Sequence, residues 1–182
     1  MSELGFTLFD TGIGRCGLAW GAAGIVAVRL PDSSDARARA RFEQRFPGIA
    51  AREPTPEIAG AIARIQGLLA GGKDDLADIV LDMEGLSDFQ RRVYAIGRSI
   101  PPGQTLTYGE VAKRLGDPTA SRAVGEAMGK NPFPIIMPCH RVQGADGKLG
   151  GFSAPGGGAT KLKLLEIEGA TSVEALPLFA GR

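Results

Sequence analysis

The sequence predicts an α/β N-terminal domain over residues 1–85, a small mostly antiparallel sheet with helices, followed over residues 86–182 by a mainly α C-terminal domain with a helix-turn-helix. Three observations predict it. Short strand-like stretches near the start are separated by glycine-containing turns. Apolar residues at helical spacing dominate after residue 85. Two capped helical segments in that second half are separated by a short glycine turn.

In the first half, Gly5 to Phe9, Cys16 to Trp20 and Ile25 to Leu30 read as strands, with turns at Thr11-Gly12-Ile13-Gly14 and Gly21-Ala22-Ala23-Gly24. Asp35 to Phe46 reads as a helix with four arginines on an exposed face. Pro54 and Pro56 precede a helix from Glu57 to Ala70, whose Ile58, Ala61, Ile62, Ile65, Leu68 and Leu69 must face a core. Ile79, Leu81 and Met83 alternate with Asp78, Val80 and Asp82 and predict a further strand. The linker falls near Glu84-Gly85-Leu86.

Ser87 then caps a helix, with Gln90 as the return partner of a capping box. Phe89, Val93, Ile96 and Ile100 form its stripe, and Pro101-Pro102 end it. Thr107 and Glu110 make a second capping box for Tyr108 to Leu115. Gly116 turns the chain, and Asp117 is placed to cap the next helix with Pro118 in its first turn. There Ala120, Ala123, Val124, Ala127 and Met128 follow the spacing of a buried face. On the other face Ser121, Gly125 and Gly129 stand four residues apart. Interior glycines cost a helix roughly 1 kcal/mol each, so something must compensate. One reading is tight packing against another helix of the chain. The other is close approach to a nucleic-acid groove, with Arg122 reaching in.

Composition narrows the function classes. A hydrophobic fraction of 43% and a charged fraction of 23% suit a globular protein. No apolar run approaches the roughly 20 residues that cross a bilayer, so no membrane association is expected. The N-terminus lacks a basic region followed by an apolar stretch, and the expectation is a cytoplasmic protein. Two cysteines make a disulfide framework unexpected, and with one histidine a Cys/His zinc site would need every candidate ligand at once. No metal and no cofactor are expected. The net charge of +1 hides an asymmetry: residues 1–85 carry 9 Lys/Arg against 12 Asp/Glu, residues 86–182 carry 12 against 8. A basic second half suits a polyanionic partner with modest, salt-sensitive affinity.

The sole histidine, His140, adjoins Cys139 in Ile135-Ile136-Met137-Pro138-Cys139-His140-Arg141-Val142. An imidazole is the usual means of populating a thiolate. Taken alone, the string fits a packed cysteine and an activated nucleophile equally well. Neighbouring side chains of an extended segment point to opposite sides, so a Cys139–His140 relay requires a bend in the chain or a bridging water.

Phe89-Gln90, Ile100-Pro101-Pro102-Gly103, Thr107-Tyr108-Gly109-Glu110-Val111-Ala112, Arg122-Ala123-Val124-Gly125, Asn131-Pro132, Pro138-Cys139-His140-Arg141-Val142 and Lys161…Leu164-Leu165…Glu168-Gly169 occur in this order. Together they resemble the O6-alkylguanine-DNA alkyltransferases, also called methylated-DNA–protein-cysteine methyltransferases. The resemblance runs from Phe89 to Gly169; the first part of the chain is similar to the family's less distinctive first domain.

The resemblance implies direct reversal of DNA damage by a monomer acting on double-stranded DNA that contains O6-alkylguanine, approached from the minor groove. O4-alkylthymine is left open as a second substrate. The damaged base is flipped out because its target atom cannot be reached inside a duplex. Cys139 is then the alkyl acceptor, and a thioether product has no easy hydrolytic exit, so each molecule acts once. His140 works through a water relay and Glu168, not Glu166, orients it. Tyr108 donates to the flipped base. Arg122 fills the space the base leaves, beside the groove face of Ser121 and Gly125. Asn131 is the hinge tying the second helix to the cysteine segment, and Arg141 is a scaffold ion-pair donor. The carbonyls of Cys139 and Val142 and the N–H of Ser153 read the guanine edge.

Three features depart from the family pattern. Phe152 stands in the pocket wall where many relatives have tyrosine, within a loop made longer by Ala154-Pro155. Tyr94 replaces a common tryptophan and reads as core packing. The zinc ligands of some relatives are absent. Two rivals remain at this point: a cysteine hydrolase or acyltransferase, which would turn over, and a non-catalytic helix-turn-helix regulator, which would be indifferent to Cys139→Ala.

Overall fold

A computed structural model describes residues 4–145 and 157–170. Phe152, Ser153 and the 171–182 tail lie outside the described residues. The chain opens with three strands, β1 (Gly5–Thr11), β2 (Gly14–Gly21) and β3 (Gly24–Arg29). Two-residue turns join them as antiparallel hairpins, Thr11 opposite Gly14 and Gly21 opposite Gly24. Gly14 at φ 120° and Gly24 at φ 132° supply backbone that other residues rarely adopt. A short strand β4 (Ala50–Ala51) adds parallel to β1, giving the order β3-β2-β1-β4. At two residues, β4 is too short to leave an alternating pattern in the sequence.

Both faces of this sheet are covered. Alternation along β2 sends Cys16, Leu18 and Trp20 to one side and Gly17 and Ala19 to the other. On the second side lies α1 (Asp35–Arg45), whose Phe42 packs with Phe6 and Ala19. A β-carbon at Gly17 would sit 2.7 Å from the Phe42 ring, so glycine there permits the approach. On the first side lies α2 (Pro56–Leu69), capped by Thr55 and started by Pro56. All six of its expected core residues are buried. Burying a Leu or Ile side chain stabilises by ~1.5–3 kcal/mol.

The rest is helical. In α3 (Asp88–Arg98) the Ser87–Gln90 capping box is present in full. Then come β5 (Leu106–Thr107), α4 (Tyr108–Arg114) and α5 (Ser121–Gly129). A 3-10 turn at Cys139–Arg141, strand β6 (Val142–Gln143) and α6 (Gly157–Glu168) complete the described chain. β5 and β6 pair in parallel, so the segment before α4 is laced to the segment after the cysteine. Gly97 of α3 leaves room for the segment before the cysteine, because a β-carbon there would sit 2.7 Å from the Met137 sulfur and 3.5 Å from the end of Met128 on α5.

One apolar core runs from Phe9, Leu18 and Ile65 on the sheet side through Val93, Val111 and Val124 to Cys139 and Leu164. The outer edge of β3 is also closed: Ile25 exchanges backbone hydrogen bonds with Val80 and Asp82, and the Val28 N–H donates to the Pro132 carbonyl at 2.9 Å.

Four local expectations are corrected. Residues 79–83 form no strand, only a single bridge from Leu81 to Ile25. The Asp82 carboxylate accepts the Glu84 N–H at 3.0 Å and turns the chain away. Asp117 does not cap α5: its carboxylate takes the N–H and hydroxyl of Thr119, and α5 begins at Ser121 with no side-chain cap. Ala123 faces solvent rather than the core. At α4 the Thr107 hydroxyl accepts the Glu110 N–H, but the Glu110 carboxylate bonds that hydroxyl rather than the Thr107 backbone. That makes half a capping box.

Candidate active site

The path into the site starts at the end of α5. The Asn131 amide donates to the Met137 carbonyl at 2.8 Å and its oxygen accepts the Phe133 N–H at 2.9 Å. This holds a tight loop in which the buried Ile135 adopts φ 77°. A β-branched residue in that region costs of order 1–3 kcal/mol, so the loop is over-determined by its surroundings. It delivers Pro138 and then the 3-10 turn. The Arg141 N–H reaches the Pro138 carbonyl at 2.9 Å, and the chain bends at the cysteine. Of the two sequence alternatives for Cys139 and His140, the bend is present.

Cys139 is 7% exposed, His140 and Arg141 1% each, and Glu168 2%. Glu168 reaches them from the last turn of α6. His140 Nε2 lies 2.8 Å from Glu168 Oε1. Arg141 donates through Nε to Oε2 at 2.9 Å and through Nη2 to Oε1 at 2.7 Å. Its remaining Nη1 donates to the Ile100 carbonyl at 2.7 Å. Glu168 is thus a buried carboxylate with three charge-assisted bonds.

The electrostatics favour one arrangement of protons. Burial would raise the Glu168 carboxyl, but hydrogen bonds from Arg141 and His140 and the Arg141 charge bring it down to about 2. An ionised carboxylate only accepts, so Nε2 carries the imidazole proton. Burial pushes His140 below its ordinary value against the pull of Glu168, so the ring is neutral at neutral pH. Its Nδ1 is then a lone-pair base, buried and without a hydrogen-bond partner among the described residues. Burial pushes the Cys139 thiol up, opposed by a hydrogen bond from Asn131 and by the Lys161 charge. At rest the pair is therefore thiol and neutral imidazole. Passing the proton to Nδ1 creates a thiolate and an imidazolium that Glu168 already faces.

The other named residues fall around this centre. Tyr108, at the start of α4, is half-buried and near enough to the sulfur that burial and the Cys139 charge both raise its phenol. Tyr94 is fully buried and donates to the Ala127 carbonyl at 2.8 Å, a core role. Val142 is buried, and its carbonyl accepts Lys161 Nζ at 2.7 Å; the Cys139 carbonyl accepts the Val142 N–H. Ser121 and Gly125 are half-buried, and Arg122 and Gly129 are exposed. A β-carbon at Gly125 would meet only the Tyr108 ring, at 3.9 Å, and one at Gly129 nothing within 4 Å. Close packing among the described residues thus does not explain these glycines. Ser153 and Phe152 lie outside the described residues.

Sequence reasoning gave no role to Lys161, which is 1% exposed beside the sulfur. The signal was present: Lys161, Leu164, Leu165 and Glu168 recur at i, i+3, i+4 and i+7, and all four are buried. A lysine and a glutamate inside an apolar stripe mark a site.

A family model described as the DNA-binding domain of 6-O-methylguanine DNA methyltransferase matches residues 88–170. The chain is 47% identical over 122 residues to the methylated-DNA–protein-cysteine methyltransferase of Mycolicibacterium paratuberculosis, covering 67% of this chain and 72% of that one. It is 42% identical over 120 residues to a Thermus thermophilus DNA base-flipping protein, covering 63% and 79%. Among solved structures it is similar to Mycobacterium tuberculosis OGT in complex with DNA, with a TM-score of 0.74 and 34% identity, covering 93% of this chain and 97% of that one.

Proposed function

The chain belongs to the methylated-DNA–protein-cysteine methyltransferases, enzymes of direct-reversal DNA repair, and we propose from that membership that Cys139 takes the alkyl group of O6-alkylguanine in a single turnover. The observation that carries the assignment of residues is the buried contact of 2.8 Å between His140 Nε2 and Glu168 Oε1, on the same turn as the thiol. His140 Nδ1 removes the thiol proton, through a bridging water. The thiolate attacks the alkyl carbon in line; the S–C bond forms as the C–O bond breaks, and the electron pair passes to the guanine oxygen and ring. Tyr108 hydrogen-bonds the base and relays to its ring a proton that solvent water replaces on the phenol, so Tyr108 stays neutral. The product is a thioether, which water cannot hydrolyse.

The base reaches the sulfur by flipping from duplex DNA approached through the minor groove. α4 and α5 act as the helix-turn-helix, with the Ser121–Gly125–Gly129 face against the backbone of the duplex. Arg122 occupies the gap in the stack, and Asn131 ties α5 to the cysteine loop. The Cys139 and Val142 carbonyls and the Ser153 N–H read the base edge, and Phe152 forms part of the pocket wall. The protein acts as a monomer in the cytoplasm, without cofactor. The test is intact-mass measurement after exposure to duplexes with and without O6-methylguanine. One added methyl group, confined to the Cys139 peptide and to the lesion-bearing duplex, is expected. An unmodified sulfur in folded protein, or product in molar excess over protein, would overturn the reading.

A further inference from the structure

We propose that Lys73 is a positioning residue for this site: from the N-terminal part of the chain it clamps the last turn of α6, so that the Glu168 carboxylate meets His140 and Arg141 together. The proposal rests on the reading of Cys139, His140 and Glu168 given above.

Lys73 Nζ donates to the backbone carbonyl of Glu168 at 2.7 Å, across 95 residues of sequence. That carbonyl is one of the last four of a helix, which no helical N–H can reach. The α6 terminus closes on itself elsewhere: Gly169 sits at φ 69°, its N–H meets the Glu166 carbonyl, and the Ala170 N–H meets that of Leu165. The Glu168 carbonyl is left for an outside donor. A cation also suits the negative end of the helix dipole, and the last turn of α6 contains no basic residue of its own.

The clamp stands on a rigid base. Arg64 of α2 holds the Asp74 carboxylate through Nε at 2.7 Å and Nη2 at 2.9 Å. Asp74 in turn accepts the Leu76 N–H at 2.9 Å. Arg98 of α3 donates to the Leu76 and Ile79 carbonyls at 3.0 and 2.8 Å. The Gly72 N–H is tied back to the Gly67 carbonyl at 3.0 Å. Lys73 therefore projects from a loop fixed on both sides. It acts on the same residue whose carboxylate must satisfy His140 and the Arg141 fork at once. A small shift of the Glu168 backbone would break that double fit, and misplacement of about 1 Å can cost a reaction on the order of 10²-fold.

His140 is the only histidine in the chain, so selective nitrogen labelling of histidine gives ring signals from this site alone. Lys73→Met keeps the stem and removes the donor at an exposed position. The expected result is displaced His140 ring signals and a methyl-transfer rate lowered about tenfold, with the melting temperature nearly unchanged. Lys73→Arg should recover both. Unmoved signals with an unchanged rate, a rate loss that merely follows melting, or no recovery by arginine would each overturn the proposal. The ring signals need no DNA. A parent protein that fails to take up methyl would therefore sink the reading of the site without deciding the clamp.

Discussion

Replacing Glu168 by glutamine removes the charge from between His140 and Arg141, and two separate quantities should move. The imidazolium formed during proton transfer loses its stabilising partner, so the single-turnover rate should fall ~10²-fold or more. The Arg141 guanidinium keeps its burial but loses its counter-charge, which typically destabilises by ~3–5 kcal/mol. Urea unfolding and quenched-flow alkylation measure the two. The pH dependence has a definite sign. A carboxyl at about 2 when folded, against its ordinary 4.5, contributes stability that is fully present above about pH 4.5 and is lost as the pH falls toward 2. Glu168→Gln should flatten that part of the acid-unfolding curve; an unchanged slope would show that the pair does not titrate as a unit. At this scale the adjacent Cys139 and His140 are readable from the chain because they are neighbours in it, whereas Glu168 is readable only through the family resemblance, which places it by counting along the last helix. Lys161 was readable from the stripe it interrupts. Lys73 was not: its partner is 95 residues away, and no local pattern marks it.

The helix pair α4–α5 carries a test of the glycine face. Alanine at Gly125 adds a methyl that meets the Tyr108 ring at ordinary contact distance, and alanine exceeds glycine in helix preference by ~1 kcal/mol. Gly125→Ala should therefore raise the melting temperature while weakening binding to undamaged duplex several-fold. A more stable protein with undiminished affinity would move the DNA to another surface. α2, α3 and their caps are legible in sequence because a capping box and a spacing of apolar residues are local. The two-residue strands β4, β5 and β6 escape such reading, since pairing partners far apart in the chain define them. Asp82 and Asp117 show a further limit. Each spends its carboxylate on the turn immediately after it, where sequence pattern suggested a longer element.

Across the whole molecule, the boundary proposed near residue 85 divides the chain in sequence, while a single core joins its two sides. Leu81 bridges to Ile25, Pro132 accepts from Val28, Arg98 holds the loop before the boundary, and Lys73 holds the helix that ends the site. In the proposed mechanism every reacting group lies in the second half. The first half contributes the footing on which α6 stands, and that role follows from contacts rather than from composition. The sheet has a last consequence, for solubility. A neighbour seeking to extend it would find β3 already occupied by the protein's own loops, and at the far side only the short ledge of Ala50 and Ala51. Such fenced borders discourage strand-to-strand stacking between copies. Concentrated protein free of DNA should scatter light as single chains, and dimers built on that border would contradict it.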